Sequence, residues 1–235
     1  MAVDDSYSVA LLHFDGADAS PTITDESGKS WTAQGTAQID TAQSVFGGAS
    51  LLLDGNSDYV DTADSADWQL DGGSNSNAWT IDVRIRFSAD PGTDVTPIVQ
   101  QYGNTSNYWS LFIAVNNLSF SVYSAGSQII RIDNAFNPAA DTWYHIAIVK
   151  DGANGYLMFV DGTQIGSTQT DTSTIPDISG TLLVGKLTSA ASNVYYHNGW
   201  IDELRISKGI ARWTANFTPP TREYGGGGQV IIWSE

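Results

Sequence analysis

The stretch Trp79-Thr80-Ile81-Asp82-Val83-Arg84-Ile85-Arg86-Phe87-Ser88 decides the fold. Its apolar residues, Trp79, Ile81, Val83, Ile85 and Phe87, alternate with polar ones. That period of two gives one buried and one polar face only in an extended strand. Similar runs recur at residues 9–14, 50–53, 98–102, 108–115, 118–123, 129–132, 143–150, 156–160, 181–184 and 200–206. Clusters of Gly, Ser, Thr, Asn and Asp separate them and supply turn chemistry. Tight hairpins are expected at Asn116-Asn117 and at Asp161-Gly162, the latter joining 156–160 to 163–166. Only 208–216, with Ile210, Ala211 and Trp213, has the spacing of a helical turn, and Pro219-Pro220 stops it. The reading is an all-β protein, a two-sheet antiparallel β-sandwich, forming one domain over 1–224.

Ten Lys and Arg face 26 Asp and Glu, a formal charge of −16. Such a surface repels phosphate backbones and anionic headgroups, so no nucleic acid and no membrane partner is expected. It attracts divalent cations wherever carboxylates and carbonyls converge. The chain has no cysteine, which removes disulfides, thiolate metal sites and thiol nucleophiles. No apolar run approaches the roughly 20 residues of a membrane span. The first residues, with Asp4 and Asp5, carry neither the basic nor the apolar region of a signal peptide.

Catalytic constellations are sparse. Glycosidases on a sandwich need two carboxyls flanking the sugar bond, roughly 5–9 Å apart. Glutamate occurs only at 26, 203, 223 and 235, with no two on a common predicted strand. His13, His145 and His197 show no metal-binding or nucleophile-elbow spacing, and His145 reads as a semi-buried structural residue. GTLLVGKL at 180–187 imitates a phosphate loop, but its middle reads as a strand and it ends in Leu187. No catalytic residue is assigned, and the chain reads as a non-enzyme.

Several segments together resemble laminin-G-like domains of the concanavalin A-like lectin (jelly-roll) type. They are LLHFDG at 11–16 with ITDESGKSW following, FGGASLLLDGNSDYV at 46–60, WYHIAIVKDG at 143–152, GYLMFVDGTQIG at 155–166 and GWIDELRISKGIARWTANFTPP at 199–220. The closing run is most similar to members in bacteriophage tail, fibre and capsid-surface proteins. The resemblance implies a jelly roll of two curved sheets, a binding or display role, and a location on a virion surface or outside the cell. A carbohydrate-binding accessory module of a glycan-active protein, or a ligand-free spacer, are its alternatives.

The same resemblance implies a structural calcium ion linking the first strand, a Gly-rich turn and the last strand, here Asp15, Gly48 and Asp202. Alternatively, Asp202 faces solvent or caps a turn. A second calcium placement is Asp54-Gly55-Asn56-Ser57-Asp58, whose alternating oxygen side chains either converge on an ion or make a hairpin turn. Aromatics beside amides suit sugar recognition. That chemistry points to Tyr102, Asn104, Asn107 and Tyr108 in one loop and Tyr195, Tyr196 and His197 in another, with packing under the loops as the alternative. The partners expected are glycan or another surface protein. Residues 225–235 read as a Gly-rich linker and apolar tail, pairing within the domain or with a neighbouring subunit to build a homo-oligomer.

Overall fold

A computed structural model describes residues 6–152 and 155–225. Its strands, in chain order, are β1 (Ser8–Leu12), β2 (Trp31–Gln34), β3 (Gln38–Asp40), β4 (Ser50–Asp54), β5 (Tyr59–Thr62), β6 (Trp79–Phe87), β7 (Thr96–Asn104), β8 (Asn107–Ala114) and β9 (Asn117–Ser124). They continue as β10 (Ser127–Ala135), β11 (Trp143–Asp151), β12 (Gly155–Val160), β13 (Thr163–Thr170), β14 (Thr181–Val184), β15 (Lys186–Thr188), β16 (Val194–Tyr196) and β17 (Asn198–Lys208). One antiparallel sheet runs β13-β12-β11-β6-β17-β4-β3, with β1 also on β17. The other runs β10-β9-β8-β7-β14-β5-β2, and β15 pairs with β16 as a separate ribbon. The β-sandwich expected from the alternation of β6 is what the chain forms.

The alternation sets the layers. Ile81, Val83 and Ile85 of β6 point inward toward Trp109, Leu111 and Ile113 of β8 and Phe120 and Val122 of β9, all fully buried in one apolar cluster. Removing each large side chain from water contributes about 1.5–3 kcal/mol. Trp109 belongs wholly to this core, and its indole N–H donates to Trp68 O and Gln101 Oε1, both at 2.9 Å.

Long β17 carries two partners end to end along one edge. Residues 198–201 pair with β4 and residues 204–207 pair with β1. Asp202 and Glu203 fall in the gap between them. A bulge lies there, with the register to β6 shifting between Asp202 and Arg205 and Glu203 at φ 49°. The extra residue lets Ile201 and Leu204 both reach the core while the two carboxylates between them stay out of it.

Two local expectations change. The first hairpin turns on Val115-Asn116, at φ 51° and 57°, one residue earlier than expected. Asn117 opens β9 and its Nδ2 donates to Val115 O at 2.8 Å. Asp161-Gly162 does make the expected turn, at φ 49° and 75°. Residues 209–216 form no helical turn, because their apolar side chains brace the outer face of the eight-stranded sheet instead. Trp213 and Phe217 stack at 4.0 Å over Ala147, Val149, Leu157 and Phe159, and the Arg212 N–H donates to Thr80 Oγ1 at 3.1 Å. The tail expectation falls almost entirely on 226–235, outside the described residues.

Candidate functional site

Two regions outside the core gather chemistry, and the first is the outer face of the seven-stranded sheet. Antiparallel register places Tyr108 opposite Tyr123 and Ser110 opposite Ser121. The tyrosine rings stack at 4.7 Å and 17°, and the serine hydroxyls lie 3.1 Å apart. Arg131 of β10 lays its guanidinium over Phe112, 5.1 Å from the ring centre, and donates from Nε to Asp133 at 2.7 Å. The β15–β16 ribbon forms a wall over this floor. Gln100 clasps it with two hydrogen bonds, Nε2 to Thr188 O at 3.0 Å and Thr188 N to Oε1 at 2.8 Å. The Ala190 N–H donates to the Tyr108 hydroxyl at 3.2 Å. The open cleft between them measures about 280 Å³, and no carboxylate lines it. A second cleft of about 380 Å³ shares Val95 and Tyr195 with the first and is also lined by Tyr196, Asp90 and Asp94.

The second region is the gap along β17. Asp202 is fully buried there, and its Oδ2 accepts the N–H groups of Val45 (2.7 Å) and Phe46 (3.2 Å). Asp15 lies against Gly47, at φ 58°, and a Cβ at that position would overlap its carboxylate. Among the described residues, Asp15 Oδ1 and Asp202 Oδ1 are buried with no hydrogen-bond partner. Burial pushes the Asp202 carboxyl up to about 7; the two amide hydrogen bonds offset part of this, and the charges of Glu203 and Asp15 add to it. Burial also raises Asp15, with the Glu223 and Glu203 charges reinforcing it and His13 opposing. Arg84, opposite Asp202 in register, donates to Pro220 O at 2.6 Å and feels the Asp202 charge from a distance. Buried oxygens without partners, a glycine cradle and an all-oxygen donor set fit a calcium ion.

The sequence-derived residues divide accordingly. Asp202 is within reach of the Asp15 charge, and it does not face solvent. Gly47, rather than Gly48, is the glycine against Asp15, and Gly48 N donates to Phe46 O at 2.6 Å. Asp54 and Asp58 are engaged as turn residues. Asp54 Oδ1 accepts Asn56 N at 2.7 Å and Asp58 Oδ1 accepts Thr36 N at 2.6 Å, so both are occupied in holding turns. Tyr108 and Tyr195 line the first cleft, and Tyr195 and Tyr196 the second. Tyr102 packs beside Tyr108 with ring centres 6.5 Å apart. Asn104 and Asn107 are taken up by their own hairpin, Asn104 Oδ1 accepting Ser106 N at 2.9 Å. Asn107 Oδ1 accepts Ala125 N at 3.1 Å. His197 is fully buried against Phe87 and reaches neither cleft. His145 is fully rather than partly buried, 3.6 Å from Asp82.

Glu203, Tyr123, Ser121 and Arg131 escaped the sequence reading. Cross-strand register and a bulge assemble them, and neither is a local motif.

A family profile described as the concanavalin A-like lectin/glucanases superfamily matches residues 54–212. No curated protein matches the sequence. Among solved structures, domain 4 of AbnA, a GH43 extracellular arabinanase from Geobacillus stearothermophilus, determined in complex with arabinotriose, is similar at TM-score 0.64 and 17% identity. That match covers 87% of this chain and 94% of the domain. The binding domain of botulinum neurotoxin DC, solved with rat synaptotagmin II, is similar at TM-score 0.62 and 17% identity, covering 88% of this chain and 49% of that one. The binding domain of Paraclostridial Mosquitocidal Protein 1 is similar at 0.64 and 16%, covering 87% and 49%. The chain thus spans about half the length of the toxin binding domains, and at these identities the likeness is one of fold. The profile match extends over more than half of the sequence and agrees with the two-sheet architecture: the chain belongs to the concanavalin A-like lectin/glucanases superfamily.

Proposed function

We propose that this chain is a non-catalytic binding module that takes an uncharged oligosaccharide on the outer face of its seven-stranded sheet. The carrying observation is the cleft floor, where the stacked Tyr108–Tyr123 pair adjoins the Ser110–Ser121 hydroxyls beneath the clasped ribbon. Tyr123 and Tyr195 keep partly exposed rings for stacking on the C–H faces of sugars, while Ser110 and Ser121 are buried and support the floor from beneath. The second cleft, which shares Val95 and Tyr195 with the first, gives room for a chain of sugars. A net charge of −16, with Asp90 and Asp94 on its wall, disfavours acidic glycans. The first cleft has no carboxylate in its lining, and in the second Asp90 and Asp94 are exposed, with Asp90 Oδ1 accepting Gly92 N at 2.8 Å, an arrangement that supports binding over hydrolysis. The arabinanase domain solved with arabinotriose supports the same class, and it also favours a second reading, an accessory module of a glycan-active protein.

A calcium ion held by Asp15 and Asp202 beside the 45–48 turn would neutralise the buried carboxylates and join three chain segments, a structural role. The setting we propose is a virion surface, on the resemblance of the closing run 199–220, with assembly through sheet edges or residues 225–235. Among the described residues no helix is long and apolar enough to cross a membrane. Mass spectrometry of purified particles tests the setting, and light scattering of a chain ending at 224 tests the assembly.

A glycan array followed by calorimetry tests the binding. Tyr123→Ala is expected to weaken the best ligand roughly tenfold, about 1.4 kcal/mol, with an unchanged circular dichroism spectrum. A blank array, or full affinity in the variant, overturns this reading of the cleft; the blank array leaves the ligand-free spacer.

A further inference from the structure

We infer that His13, Glu203 and Glu223 form a second metal site, next to the oxygen-only pole but suited to a divalent first-row transition ion of the zinc type. The inference is independent of sugar binding. The three residues come from three segments: the chain just after β1, the bulge of β17 and the stretch beyond Pro220, whose Tyr224 bonds to Glu203 and Asp82. Their ligand atoms all lie within 4.8 Å of one another. Two ligands on a tetrahedral zinc, each about 2.1 Å from the ion, stand about 3.4 Å apart. His13 Nδ1 and Glu203 Oε1 are now hydrogen-bonded at 2.6 Å, so admitting an ion needs their separation to grow by under about 1 Å.

Donor chemistry separates this site from its neighbour. An imidazole nitrogen shifts preference from calcium and magnesium toward transition ions, while carboxylates alone favour the hard cations. Three protein ligands leave a fourth position for water, and His13 and Glu223 are only half-buried, so an ion has a route in. Glu203 is already oriented, because its Oε2 accepts the Tyr224 N–H at 3.1 Å while the Tyr224 hydroxyl is fixed on Asp82. Support of this outer kind holds ligands in place for metal binding.

Charge supplies an independent argument. Asp202, the residue preceding Glu203, is fully buried with Oδ1 unpartnered and within the field of Glu203. Asp15, Asp202, Glu203 and Glu223 lie within reach of one another's charge here, and His13, hydrogen-bonded to Glu203 at 2.6 Å, is the nitrogen ligand among them. One calcium ion at Asp15 and Asp202 balances that pair and leaves Glu203 and Glu223 against a single imidazole. A second ion would balance these and staple the stretch beyond Pro220 to the first and last strands.

The test is a Co²⁺ titration of the whole chain in saturating Ca²⁺, read by visible d–d absorption and by calorimetry. One equivalent of Co²⁺ is expected to bind and to be displaced by Zn²⁺. Glu223→Gln, which leaves the His13–Glu203 hydrogen bond in place, and His13→Asn should each weaken Co²⁺ roughly tenfold or more. Both should retain the rise in melting temperature on adding Ca²⁺. Asp202→Asn should lose that rise and keep the Co²⁺ spectrum. Absence of Co²⁺ binding, or unchanged binding in either the Glu223 or the His13 variant, overturns the site. Loss of the cobalt spectrum in a folded Asp202 variant overturns it too, by showing one shared centre. A missing Ca²⁺ response with intact Co²⁺ binding would instead count against the calcium site alone.

Discussion

Asp82 and Asp202 occupy neighbouring strands, are equally buried, and have opposite electrostatic fates. Burial alone pushes the Asp82 carboxyl up, but the Arg205 charge, the nearby His145 ring and a hydrogen bond from the Tyr224 hydroxyl outweigh it and hold it at about 2. Arg205 Nε reaches it at 3.0 Å, and the guanidinium lies 3.6 Å from the centre of the Tyr224 ring. At Asp202 burial prevails, and the value rises to about 7. Burial sets the cost of a charge in both places, and the presence of a cationic partner decides the outcome. The Asp82 cluster contains its own counter-ion, whereas the Asp202 cluster lacks one of comparable reach.

The largest effect tests the complete cluster. Asp82→Ala leaves Arg205 buried without its carboxylate, and a loss of about 3–5 kcal/mol is expected in urea unfolding. A loss under about 1 kcal/mol would break the contrast by showing that Arg205 finds other partners.

His197 supplies a third case, a buried ionisable group that can discard its charge. Burial lowers its value to about 4, with the Arg86 carbonyl pulling weakly the other way. The unfolded chain takes up this proton near 6.5 and the folded one only near 4, so the unfolded state binds more protons in between. Its contribution to stability therefore falls as pH drops from 6.5 through 4, by about 3 kcal/mol in all. Asp202 acts with the opposite sign in the metal-free protein, its raised value favouring the folded state as pH falls. Subtracting the stability–pH curve of His197→Leu from that of the parent chain isolates the histidine. A flat difference would remove His197 from the set.

The smallest effect concerns the incomplete cluster. Calcium at about 100 times its dissociation constant is expected to add about 2.7 kcal/mol, seen as several degrees in melting temperature. Asp202→Asn should abolish that gain, while Asp58→Asn, in the turn that held the rival calcium placement, should keep it. The reverse result would move the ion to the 54–58 loop.

The sandwich was legible because β6 alternates without a fault and the core takes its apolar set. The calcium pair was half legible. Asp202 sits in Ile201-Asp202-Glu203-Leu204, where the pairing shifts at a bulge, and simple alternation left the place of Glu203 unread. The cleft was mostly illegible. Ser119, Ser121 and Tyr123 do alternate with the core residues of β9, but what they face depends on register with β8 and on a ribbon whose strands are three residues each. His197 followed two tyrosines in what read as a surface loop. Nothing local revealed that Gly185 and Gly199 let the chain close over it.

The abutment of β4 and β1 along β17 has a kinetic corollary. Val45 and Asp202 are 157 residues apart in sequence and joined by one hydrogen bond, so the contact forms only after the chain has closed a loop of that length. A cation taken up there would register late events in folding and act as a brake on escape, slowing unfolding far more than it hastens refolding.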